Sequence, residues 1–172
     1  MTNAGPTRTS RSTTLESLLW STALAGTMVL AAPMARAQNT PSGQTVVSGS
    51  ATFNGSNAQL PGTATNLEIN LQTQNTIINW NRFSIENGSK VDFKTPTTAQ
   101  AAVLNRVIGT SASEIKGSLT STPNIDVFLV NPNGIMISGT GNVSTGSFVA
   151  STLAISDADF LSGDLHLSLI HI

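Results

Sequence analysis

Four consecutive residues, Asn131-Pro132-Asn133-Gly134, carry the most chemically specific pattern in this 172-residue chain. Pro132 presets φ near about −65° for the second position of a type I turn. The Asn131 side chain can accept a backbone N–H, Asn133 tolerates unusual φ, and Gly134 allows a positive φ at the exit. Such a sequence makes a rigid corner between two strands. Its chemistry is recognition or register, not bond-breaking: the corner either presents itself to a partner or fixes how strands stack. Trp80 and Phe83 pose the same choice, because aromatic side chains anchor interfaces and also fill cores.

Catalytic chemistry finds little to work with. The two histidines, His166 and His171, lie in the last seven residues. No Ser/His/Asp order and no histidine metal spacing precedes them, so no catalytic, cofactor-binding or metal-ligating residues are expected. Asp92, Glu114 and Asp126 are scattered and neighbour turns, which reads as solvated surface. A polysaccharide lyase or hydrolase would need a carboxylate cluster or a basic residue on one strand face, and the sequence displays neither. Cysteine is absent, which excludes a disulfide scaffold and a cysteine zinc site. Beyond residue 37, five basic residues face eight acidic ones, so there is no basic footprint for nucleic acid.

The elements that must position these residues are strands. Charged residues make up only 10% of the chain while 39% is apolar. Asn, Thr, Ser and Gly fill the difference, a composition suited to turns and stacked strands. The first 37 residues are an address. Arg8 and Arg11 precede an apolar run from Leu18 to Ala32, Pro33 breaks it, and Ala35-Arg36-Ala37 offers small residues for cleavage before Gln38. This is the pattern of a secretory signal peptide. The run is shorter than the roughly 20 residues that span a bilayer, so no stable membrane insertion is expected after cleavage.

Past Gln38 the expected strands are short. They are Thr45-Val46-Val47, Ala51-Thr52-Phe53, Asn66 to Gln72, Thr76 to Trp80, Phe83 to Ile85 and Val91 to Phe93. Ile115 to Leu119, Ile125 to Val130, Ile135 to Ile137 and Phe148 to Ile155 follow. Asn54-Gly55 is a strong turn signal, and Asn87-Gly88 reads as a hairpin turn. Residues 97–107 tolerate either helix or strand. The interval from Ile115 to Ile135 equals that from Leu129 to Val149, with Gly and Asn between. Recurrence at a fixed period of this kind points to stacked coils with one internal apolar column. An antiparallel β-sandwich is the alternative that regular short strands also allow.

Five segments in order then become recognisable. Ile78-Asn79-Trp80-Asn81-Arg82-Phe83-Ser84-Ile85 resembles the "INW-x-x-F-x-I" segment of the two-partner secretion domain, the haemagglutination-activity domain at the N-terminus of filamentous-haemagglutinin-like proteins. Leu104-Asn105-Arg106-Val107 is similar to its "LNRV", and Ser113 to Leu119 to its "S-x-I-x-G-x-L". Val127 to Ile135 matches "V-F-L-I-N-P-N-G-I", and Val149-Ala150-Ser151-Thr152-Leu153 matches "V-A-S-T-L". A second motif of the prototype adhesin, "NPNL", has no counterpart; the corresponding stretch reads Thr95-Pro96-Thr97-Thr98.

The resemblance implies an all-β fold: a right-handed parallel β-helix with extra sheet elements capping its N-terminal end. Residues 1–37 would be the signal peptide, 38–164 the secretion domain, and 165–172 an atypical tail of a chain truncated at its C-terminal side. It implies passage through the Sec machinery to the periplasm, then recognition by the periplasmic modules of an outer-membrane transporter, with Asn131, Pro132, Asn133 and Gly134 as the recognition motif. Asn79, Trp80, Phe83, Asn105 and Arg106 are expected to be structural. The destination would be the cell surface or the medium, as part of an adhesin, haemolysin or contact-dependent toxin. A stand-alone carbohydrate-binding adhesin fragment and, behind it, a β-helix carbohydrate-active enzyme are the other readings.

Overall fold

The computed structural model describes residues 39–163. The cleavage positions Ala35, Ala37 and Gln38, and the histidines of the tail, lie outside the described residues. The backbone winds into a β-solenoid of about four turns. The first coil runs through β3 (Asn66–Leu71) and β4 (Asn75–Trp80). The second holds β5 (Lys90–Lys94), β6 (Ala101–Val107) and β7 (Ser113–Ile115). The third holds β8 (Ser118–Ser121), β9 (Ile125–Val130) and β10 (Ile135–Ile137), and the fourth β11 (Asn142–Ser144) and β12 (Ser147–Ser151). Strands of successive coils pair in parallel into three faces, each residue meeting its counterpart one winding later. Among the named strands the tightest winding sets Ser147 opposite Asp126, and the widest sets Ser118 opposite Lys90. Two strands ahead of the coils, β1 (Thr45–Ser48) and β2 (Ala51–Phe53), pair antiparallel with β4 and β3. These are the capping elements that the resemblance implied.

Alternation along each strand explains the winding. Leu67, Val91 and Leu119 occupy paired positions in successive coils and point inward, with the half-buried Val143 above them. Thr76, Val103, Val127 and Phe148 form a second inward column on the neighbouring face. Each fully buried Leu, Ile, Val or Phe contributes about 1.5–3 kcal/mol of transfer free energy, which suits a fold without disulfides. Trp80 plugs the first coil, edge-on to Phe53 at 5.8 Å and to Phe83 at 5.4 Å. All three rings are buried.

The face built from β4, β6, β9 and β12 is apolar on both sides. Ile77, Leu104, Phe128 and Val149 stack in register on its outer surface. A short helix, α1 (Asp157–Ser162), covers them with Phe160, and Ile155 packs beside it. Ser156 caps the helix by accepting from the Asp159 N–H, and Gly163 closes it in the left-handed conformation.

Several local expectations change. Of residues 97–107, Ala101–Val107 form strand β6, while 97–100 are irregular backbone leading into it. The apolar stretch 115–119 is two strands, because Lys116-Gly117 turns a corner. A Cβ on Gly117 would lie 2.2 Å from the Ser89 carbonyl oxygen and 2.4 Å from that of Glu86, so the coil below admits only glycine there. Asn87-Gly88 is likewise a corner leading to a parallel strand, whereas Asn54-Gly55 makes the tight turn between Phe53 and Ser56. The strand expected over 148–155 stops at Ser151 and gives way to the helix. The true partners of Ile115 and Leu129 in the next coil are Ile137 and Ala150. Val149 therefore belongs to the outer stripe, not the internal column. Asp92, Glu114 and Asp126 lie at half-exposed positions of β5, β7 and β9.

Candidate functional site

Three of the family-like segments meet at one corner of the solenoid. The chain leaves the β4 face at Asn81, the β6 face at Ile108-Gly109 and the β9 face at Asn131. The corners stack: the Ile108 N–H donates to the Trp80 carbonyl at 2.8 Å, and the Asn133 Nδ2 donates to the Gly109 carbonyl at 2.8 Å. Gly109 lies so close to the coil below that a Cβ would fall 2.0 Å from the Asn81 carbonyl oxygen.

Asn131 is the root of the upper corner. It is fully buried, and its Nδ2 donates to the Ser111 carbonyl at 3.0 Å and the Ser113 Oγ at 2.9 Å. Its Oδ1 accepts from the Asn133 backbone N–H at 2.9 Å and from the Asn133 Nδ2 at 3.0 Å. Its backbone N–H reaches the Ser151 carbonyl at 3.0 Å, and its own carbonyl accepts from Gly134 at 3.1 Å. One asparagine thus ties the second, third and fourth coils. Gly134 leaves the turn at φ 110°. Pro132 and Asn133 are exposed at the tip.

The remaining motif residues split between the two sides of the β4/β6/β9 face. Asn105 points inward, where its Oδ1 accepts from the Trp80 Nε1 at 3.0 Å and its Nδ2 donates to the Phe128 carbonyl at 3.1 Å. A buried amide partnered in this way adds register without an unsatisfied group. Arg106 points outward and donates to the Ile155 carbonyl at 2.9 Å and to Asp157 at 2.6 Å. Its other nitrogen reaches the Asn79 Oδ1 at 3.5 Å.

Sequence reasoning did not single out Ile108, which is 58% exposed in the middle of this corner. Its signal was positional: an isoleucine directly after the "LNRV" strand and before glycine. Nor did it single out Ser111, which receives the Asn131 amide; Ser113, which opens the "S-x-I-x-G-x-L" segment, receives it as well.

Other charged pairs lie on the outer faces. On β3, β5 and β8, Lys94 pairs with Glu68, Lys90 with Asp92 at 3.3 Å, and Thr120 bonds to Asp92. The hydrogen bond from Lys94 holds the Glu68 carboxyl below its ordinary value and raises Lys94 in turn. On the third face Lys116 sits 2.5 Å from Glu114, lowering the glutamate and raising the lysine. These pairs make surface networks. Among the described residues no cluster of His, Cys, Asp and Glu is arranged to hold a metal ion, and no helix is long and apolar enough to cross a membrane.

Comparison with known proteins agrees with this architecture. The HMW1 secretion domain from Haemophilus influenzae superposes with a TM-score of 0.61 at 36% identity, over 72% of this chain and 30% of that one. A heme/hemopexin-binding protein of Haemophilus influenzae is 35% identical over 121 residues, which is 70% of this chain. A second protein of that description is 36% identical over 90 residues. The chain spans only 12% and 9% of their lengths. The family model of the TPS secretion domain matches residues 26–167, and the chain belongs to that family, the secretion domain of two-partner secretion exoproteins.

Proposed function

We propose that residues 38–164 act as the secretion-targeting domain of a filamentous-haemagglutinin-like exoprotein, bound by the periplasmic modules of an outer-membrane transporter. Residues 1–37 would direct the chain to the Sec machinery, and the product would reach the cell surface or the medium. One observation carries the reading. The "INW", "LNRV" and "NPNG" segments share a single corner, which leaves Ile108, Pro132 and Asn133 exposed on a hydrogen-bonded base. A rigid, uncharged tip with an apolar side chain beside it has the composition of a recognition spot. Pairing of a transporter strand with a sheet edge would add affinity. Whether the longer protein is an adhesin, haemolysin or toxin follows from sequence beyond this domain.

The test is co-expression with a cognate transporter and measurement of the secreted fraction. Ile108→Ser and Pro132→Ala touch exposed side chains and are expected to leave the melting temperature within about 2–4 °C. Secretion should nonetheless fall several-fold. Unchanged secretion in both variants, or secretion of the parent chain without a transporter, would refute the reading.

A further inference from the structure

The outer stripe of Ile77, Leu104 and Phe128 takes one residue from each of the first three coils, and Val149 adds the fourth. The cover over this stripe comes from the segment just after the fourth coil. Phe160 meets Phe128 edge-on at 5.6 Å, and Ile155 and Phe160 are both buried. Among the described residues, Arg106 of the second coil ties the cover down by holding the Ile155 carbonyl and the Asp157 carboxylate. The helix has only six residues, too few to persist without its docking site.

These facts fix an order of events. The docking site does not exist until the coils are stacked in register, because no single coil supplies more than one rung. Arg106 must face outward beside that stripe, which requires Asn105 to be facing inward against Trp80. A one-residue slip of β6 would exchange the two.

We infer that residues 155–162 form a latch that closes only over four correctly registered coils and then keeps the fourth coil from peeling away. While the latch is open, the stripe is an exposed apolar ridge on the outside of the solenoid. When it closes, the ridge disappears and β12 is clamped between its parallel partner β9 and the strap that follows it. The inference is independent of any transporter.

Hydrogen–deuterium exchange of the full chain tests it, using Phe160→Ala and Arg106→Met. In both variants amides of β12 and α1 should exchange at least about tenfold faster, while β3 to β6 keep parent rates, as local opening requires. An apolar fluorescent dye should bind the Phe160→Ala variant more strongly than the parent. Two results would overturn the latch: exchange in β12 within about twofold of the parent in both variants, or acceleration spread evenly over all coils, which marks global unfolding. Asp157→Asn, which removes the charge while keeping the helix, should produce a smaller acceleration confined to the same segment. No change there, with the even spread above in Phe160→Ala, would assign the contact to general packing.

Discussion

The indole N–H of Trp80 donates to the side-chain oxygen of Asn105 at 3.0 Å, from one coil to the next and wholly inside an apolar core. Asn105 passes the connection to the third coil through the Phe128 carbonyl. Asn105→Leu keeps the branched outline of the side chain but strands the Trp80 donor, and is expected to cost about 1–3 kcal/mol. Trp80→Phe should cost a similar amount by stranding the Asn105 acceptor. Urea unfolding of both single variants and the double should reveal a coupling of about 0.5–3 kcal/mol. Strict additivity would mean that the bond contributes nothing.

The corner asparagines should separate by burial. Asn131→Ala removes two donated bonds and the acceptor for the Asn133 N–H, for an expected loss of about 1–3 kcal/mol. Asn133→Ala loses a more exposed contact to Gly109 and should cost roughly 1 kcal/mol or less. Chemical denaturation midpoints check the ranking.

Glycines at two corners should respond differently to alanine. Gly117→Ala drives a methyl group into backbone carbonyls of the coil beneath, and overpacking against atoms that cannot rotate aside should cost about 3 kcal/mol. Gly139 has φ 64° but open space around it. Its replacement carries only the left-handed backbone penalty of about 1–2 kcal/mol. Melting temperatures should fall further for the first variant than for the second.

The surface pair Glu68 and Lys94 gives a signed pH expectation. The folded Glu68 carboxyl lies below its ordinary value because Lys94 donates to it. Its contribution is therefore present above the unfolded carboxylate value and lost as pH falls through the lowered one. Lys94 is raised, so its contribution is complete below the unfolded lysine value and lost as pH climbs through the raised one. Both groups are exposed and the effect on stability is small. Carboxyl resonances followed by NMR should show Glu68 titrating low in the parent and returning upward in Lys94→Gln.

The strands that alternate are legible in the sequence because inward and outward positions obey a period of two. Leu67-Glu68-Ile69-Asn70-Leu71 alternates buried and half-buried as its residues suggest. Alternation fails where both faces are covered. Ile77 and Ile78 are both buried, on opposite sides, and nothing in a lone apolar run says which side another element will cover. The helix is easily missed because it has only six residues, although Ser156, Asp157, Asp159 and Gly163 supply the usual cap signals. Ile115 and Ile135 look equivalent by residue type and so suggest too short a winding; the register places Ile135 opposite Ser113. For the site, the four residues of the turn are visible in the sequence, but their stacking on Gly109, and that of Gly109 on Asn81, is not. That contact joins residues of different coils, and only the period of the winding brings them together.

In the parallel faces each strand pairs with the one a single winding away, never with a remote part of the chain. The entropy of closing such a loop changes only with the logarithm of its length, so each added layer meets nearly the same resistance as the one before. Within these faces no pairing waits for a distant stretch of polypeptide. A thread emerging from a narrow opening could thus acquire its shape progressively, each finished layer serving as the floor for the next, at a pace set by arrival and not by total size.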